Sequence, residues 1–133
     1  MYETLVLVDQ DSRISADDLE RQLRVFCDDR GAHRLQLIRK GEGFSIKWPG
    51  FALVVNRNTR PTVLAESVDI AARFAAGRPE QEKIALCSVR IEISGDNDPG
   101  MDYSNDFCLI LEAIEELGIV YTFDSGSGQF MNL

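Results

Sequence analysis

The chain has 133 residues, 44% of them hydrophobic and 27% charged, with a formal net charge of −8. That length suits one domain, residues 1–133, with a core of its own, and the composition excludes a disordered or low-complexity chain. No apolar run approaches the roughly 20 residues of a membrane-spanning helix, and an acid at Glu3 stands where a secretory leader carries bases, so no membrane association and a cytoplasmic location are expected.

The first element in chain order is Leu5-Val6-Leu7-Val8, apolar on both faces and therefore expected to be a central strand. A helix follows, with Ser15 as its cap, Asp18 three residues on, and Ala16, Leu19, Leu23, Phe26 and Cys27 at helical spacing. Its end is expected near Arg30-Gly31, where glycine suits the closing conformation. Leu35 and Leu37, then Phe44, Ile46 and Trp48, alternate with polar residues around the turn Lys40-Gly41-Glu42-Gly43. Two antiparallel strands are predicted there, and a third from Phe51 to Val55 after Pro49-Gly50. Basic residues interleaved in this region should emerge on the solvent face or in the turns, whereas Trp48 shares the face of Phe44 and Ile46 and belongs to the core.

Pro61 opens a second helix, whose apolar face is expected to be Leu64, Val68, Ala71, Ala72 and Ala75, with its end at Gly77. Cys87, Val89, Ile91 and Ile93 alternate as a half-buried strand. After the loop Ser94 to Met101, a third helix carries Phe107, Ile110, Leu111, Ile114 and Leu117 to Gly118, and Ile119 to Phe123 forms a last strand. The order β-α-β-β-β-α-β-α-β predicts an α+β two-layer sandwich. It would hold one mixed or antiparallel sheet of about five to six strands with about three helices on one face, related to the split-βαβ (ferredoxin-like) arrangement.

Charge along this order is segregated. Seven bases (Arg30, Arg34, Arg39, Lys40, Lys47, Arg57, Arg60) stand against the single acid Glu42 between Arg30 and Arg60, while the rest of the chain holds seven bases and 21 acids. Such asymmetry speaks to partners and steering. The densest acidic segment runs from Asp96 through Asp98 and Asp102 to Asp106. Asp96-x-Asp98 resembles the opening of a calcium loop, but Met101 falls where that loop needs glycine and Phe107 where it needs glutamate, so no metal is expected. A turn at Asp98-Pro99-Gly100 with helix capping from Asp102 or Ser104 accounts for part of this acid.

Cys27, Cys87 and Cys108 are odd in number and widely spaced, which argues against disulfides or zinc and for buried free thiols. No Walker loop, H-E-x-x-H, G-x-S-x-G or nucleophile-histidine pair is present, and Ser125-Gly126-Ser127-Gly128 lacks the following helix that a phosphate loop needs. No cofactor and no catalytic residue are assigned.

The expectation is a non-enzymatic acidic interaction protein, of the general kind of immunity proteins and antitoxins that cover a basic partner such as a toxin. Asp96, Asp98, Asp102 and Asp106 would make its contacts. The alternative is nucleic-acid or anionic-ligand binding by Arg34, Arg39, Lys40, Lys47 and Arg57, which the net charge disfavours for nucleic acid at long range. Pairing of the positive sheet of one copy with the negative loop of another would give a homo-oligomer.

Overall fold

The computed structural model describes residues 3–29 and 35–133; Arg30, Gly31, His33 and Arg34, and with them the expected end of the first helix, lie outside the described residues. Among the described residues seven strands form one antiparallel sheet: β1 (Glu3–Val8), β2 (Gln36–Lys40), β3 (Gly43–Trp48), β4 (Phe51–Asn58), β5 (Val89–Gly95), β6 (Val120–Asp124) and β7 (Gln129–Phe130). Four helices among the described residues accompany them: α1 (Ala16–Asp29), α2 (Thr62–Phe74), α3 (Gln81–Ala85) and α4 (Ser104–Glu115). The sheet order is β2-β3-β4-β5-β1-β6-β7, every neighbouring pair antiparallel. As the apolar run at 5–8 requires, β1 is interior, between β5 and β6.

These directions make β5 and β6 parallel to one another with β1 between them and α4 joining them, a split βαβ unit. The chain from β1 through α1 to β4 repeats the device around β5, and β2 and β3 extend the sheet beyond β4. The α+β sandwich is therefore as expected, with seven strands and four helices in place of about five to six and three. The additions are the short α3 and the two-residue β7, neither long enough to carry a periodic signal.

Period-2 alternation sorts the strands into two cores. Val6, Val8, Phe44, Ile46, Leu53, Val55, Ile91, Ile93 and Val120 face α1 and α4, where Leu19, Leu23, Phe26, Phe107, Ile110 and Ile114 meet them. On the opposite face Leu7, Tyr121, Phe123 and Phe130 meet Ile70, Ala71, Ala75, Ile84 and Cys87 of the α2–α3 layer. Helices thus cover both faces, whereas one was expected. The back layer spans the β5-β1-β6-β7 side and leaves the β2-β3-β4 side open, with Ile38 and Val54 exposed.

Two local expectations are corrected. The buried face of α2 is Val63, Ser67, Ile70 and Ala71, while Leu64 and Val68 are exposed. The reason is polar: the Ser67 hydroxyl donates to the Cys87 carbonyl at 2.7 Å, so a residue that reads as surface is satisfied in the interior. Cys108 is exposed, unlike buried Cys27 and Cys87, because the core stripe of α4 is Phe107, Ile110, Leu111 and Ile114, and the next residue turns about 100° away from Phe107.

Candidate functional site

The acidic segment 96–106 does not form one carboxylate surface. Asp96 continues the β4–β5 pairing: its amide donates to the Ala52 carbonyl, and its Oδ2 accepts from the Ala52 amide at 3.1 Å. Asp98 is turned inward on its own loop, Oδ1 accepting from the Asp102 amide at 2.9 Å and Oδ2 from the Tyr103 amide at 2.8 Å. That corrects the expected capping by Asp102 or Ser104; α4 has no side-chain cap at Tyr103, and the Ser104 hydroxyl donates backward to the Met101 carbonyl. The turn holds Met101 at φ 55°, a left-handed conformation uncommon for a residue with a side chain. Tyr103 fastens the loop to the β3–β4 hairpin by stacking on Phe51, centroids 4.1 Å apart, and through its hydroxyl to the Pro49 carbonyl. Asp106 is buried in the first turn of α4, and Asp96 and Asp102 are exposed.

The basic region divides by strand register. Arg39 lies opposite Phe44 and Arg57 opposite Ile91, so both stand on the α1 side of the sheet, Arg39 exposed and Arg57 half-buried, where bases were expected on the solvent face or in the turns. Arg39 Nη1 bridges Asp17 Oδ1 at 2.7 Å and Glu20 Oε1 at 2.8 Å, with its guanidinium 5.6 Å from the Phe44 ring. Those contacts with Asp17 and Glu20 raise the Arg39 pKa. Arg57 Nε donates to the Ile14 carbonyl at 2.7 Å, and Nη1 lies 3.5 Å from Glu42. Arg34 lies outside the described residues. Of the four described, Lys40 and Lys47 reach the open back face, which there displays Gln36, Ile38, Ser45, Ala52 and Val54 and, among the described residues, no aromatic ring. Trp48 is on the other side, edge-on to Phe26 and Phe51 and part of the front core. A stacking platform for bases therefore has no ring on this face.

The side chains that do converge are not among the site residues expected from sequence. Between α1 and α4 runs a groove of about 220 Å³ lined by Gln22, Val25, Phe26 and Asp29 on one helix and Leu109, Glu112, Ala113 and Glu116 on or just beyond the other. Both sets fall at i, i+3, i+4 and i+7, the stripe that one helix presents to a neighbour. Phe26 is buried, Leu109 half-buried and Val25 51% exposed, while Asp29, Glu112 and Glu116 stand in water at the rims. Gln22 closes one end, donating to the Ala113 carbonyl at 2.7 Å and to Glu116 at 3.3 Å.

Among the described residues that line this groove no base faces the carboxylates. From Ile91 to Leu133 the chain has nine acids and no lysine, arginine or histidine. Glu112 and Glu116 form a like-charged i, i+4 pair at the negative end of the α4 dipole, whose last turn carries no base. Both placements oppose helix stability. The signal available in the sequence was this absence of bases, which an inventory of acids alone passes over.

Two other polar groups are internal. Arg90, 8% exposed, bridges Glu66 and Glu92, and Glu92 also accepts from Asn56 and from Asn58 at 2.9 Å. Burial pushes Glu92 upward, but Asn58, Arg90 and Asn56 outweigh it and hold the carboxylate below its usual range. Asp9 Oδ2 accepts from the Tyr121 hydroxyl at 2.6 Å beneath the back layer. Each is saturated by its partners, which suits structural work better than proton transfer. Among the described residues no group of three His, Cys, Asp or Glu side chains is placed to hold a metal, and no helix is long and apolar enough to cross a membrane. The chain matches no protein-family model, no curated protein and no solved structure, so no activity or partner comes to it by likeness.

Proposed function

We propose that this protein is a non-enzymatic, cytoplasmic interaction domain that presents an acidic surface to a basic protein partner, in the manner of an immunity or antitoxin-type inhibitor. The observation that carries it is the α1–α4 groove, where Asp29, Glu112 and Glu116 surround an apolar floor and no base is among the described residues that line it. Carboxylates held together against their own helix dipole are relieved when a partner brings cations to them. Exposed Asp96 and Asp102 add negative charge on the loop that leads into α4, and they steer approach more than they bind. The anionic-ligand alternative has less support, because Arg39 and Arg57 are engaged with α1 and Glu42.

The test separates a surface from mere net charge. Binding of a basic globular probe, cytochrome c, is measured at low and moderate salt for the wild type and for Glu112→Gln/Glu116→Gln. The control is Asp69→Asn/Glu82→Gln, which removes the same charge from the opposite helical layer. Weakening of about tenfold confined to the groove pair is expected, and it should fade as salt rises. Equal weakening by both pairs, or by neither, refutes the assignment.

A further inference from the structure

Resting on that interaction reading, we infer that the groove receives one cationic amphipathic helix of the partner, laid between α1 and α4. Both walls are helices, whose backbone groups are bonded within themselves, so the groove offers no sheet edge to an extended peptide. A strand laid there would bury its own N–H and C=O groups unpaired, whereas a helix arrives with them satisfied. The stripes 22/25/26/29 and 109/112/113/116 each cover two helical turns, roughly 10 Å at 1.5 Å per residue.

Within that length Val25, Phe26, Leu109 and Ala113 offer an apolar seam for aliphatic side chains at i, i+3, i+4 and i+7. Asp29 on one rim and Glu112 and Glu116 on the other lie where lysines or arginines flanking such a seam would fall. At about 220 Å³ the groove is below the roughly 300–1,000 Å³ of small-molecule pockets, and it suits the anchor side chains of a helix.

Two fluorescein-labelled peptides of about 15 residues test this by fluorescence anisotropy, with the protein in excess. One places leucine at helical spacing among lysines; the other has the same composition scrambled. The wild type, Val25→Asp and Glu112→Gln/Glu116→Gln are compared, each checked by far-ultraviolet circular dichroism. The amphipathic peptide should bind at least about tenfold tighter than the scrambled one. Val25→Asp should weaken it by about tenfold although it adds a negative charge, and the glutamine pair should weaken it mainly at low salt. Equal binding of both peptides, or tighter binding by Val25→Asp, overturns the helix-in-groove assignment and leaves the acidic surface standing. Binding insensitive to Glu112 and Glu116, or none at millimolar peptide, overturns both. Light scattering of the protein alone should show a monomer; a dimer abolished by Glu112→Lys overturns the proposal in favour of a second copy as occupant.

Discussion

Replacing Tyr121 with phenylalanine removes one oxygen from the back core and keeps the ring that packs there. Tyr121 is 4% exposed and Asp9 is equally buried, and the Tyr121 hydroxyl donates to Asp9 Oδ2 at 2.6 Å. Asp9 Oδ1 keeps the Asp11 amide at 2.9 Å. The Tyr121 bond is the largest influence holding Asp9 below the usual carboxylate range; burial opposes it, and the Asp11 bond and the Lys83 charge assist. In turn, burial and then the Asp9 bond push the Tyr121 phenol upward, so it stays a donor across the accessible pH range.

A hydrogen bond to a charged acceptor contributes about 1.5–3 kcal/mol, and with Asp11 and Lys83 retained the loss belongs near ~2 kcal/mol. At about 2.1 cal/mol/K per residue over this chain, that lowers Tm by ~7 °C. Because the folded-state pKa of Asp9 is depressed, its contribution is full above the unfolded value of about 4 and is lost as pH falls through the folded value. The gap between wild type and Tyr121→Phe should therefore be complete at pH 7 and narrow below about pH 4. Urea unfolding followed by the single tryptophan, Trp48, measures it from the other face of the sheet. A loss under about 0.5 kcal/mol at pH 7, or a gap that does not change in acid, refutes the reasoning.

Two further outcomes follow from buried groups. Arg90→Leu should cost about 3 kcal/mol in urea unfolding, because Glu92 keeps its burial and loses its cation, whereas Arg90→Leu/Glu92→Leu should recover part of the loss; equal costs for the single and double variants refute this. With a disulfide thiol reagent at pH 8, one of the three thiols, Cys108, should react quickly in the native protein and all three in denaturant. Burial raises the Cys27 thiol and pushes Cys87 up to about 12, so a second fast native equivalent would contradict their placement.

Local pattern carried much of the fold. The cap at Ser15 is reciprocal as its spacing predicts, the Ser15 amide donating to Asp18 Oδ2 at 3.0 Å and the Asp18 amide to Ser15 Oγ at 3.1 Å. The alternation in 44–48 and 89–93 reappears as strands with Phe44, Ile46, Ile91 and Ile93 turned to one core. The candidate site was less legible. Asp98 and Asp102 look alike in a string of acids, and only the folded loop shows that one carboxylate binds two amides while the other is exposed.

By itself the sequence determined the type of the longer elements, the interior place of β1 and the starts of α1 and α2, because each depends on residues within one or two turns of one another, and its composition determined the excess of acid. Tertiary structure decided that Arg39 and Arg57 face α1, that Ser67 lies inside and Leu64 outside, and that a second helical layer covers part of the back of the sheet. It also brought Asp29 to Glu112 and Glu116 across the α1–α4 groove. Period 2 and period 3.6 are local properties of the chain, whereas the facing of two helices some 90 residues apart depends on strand order and on which core each stripe finds.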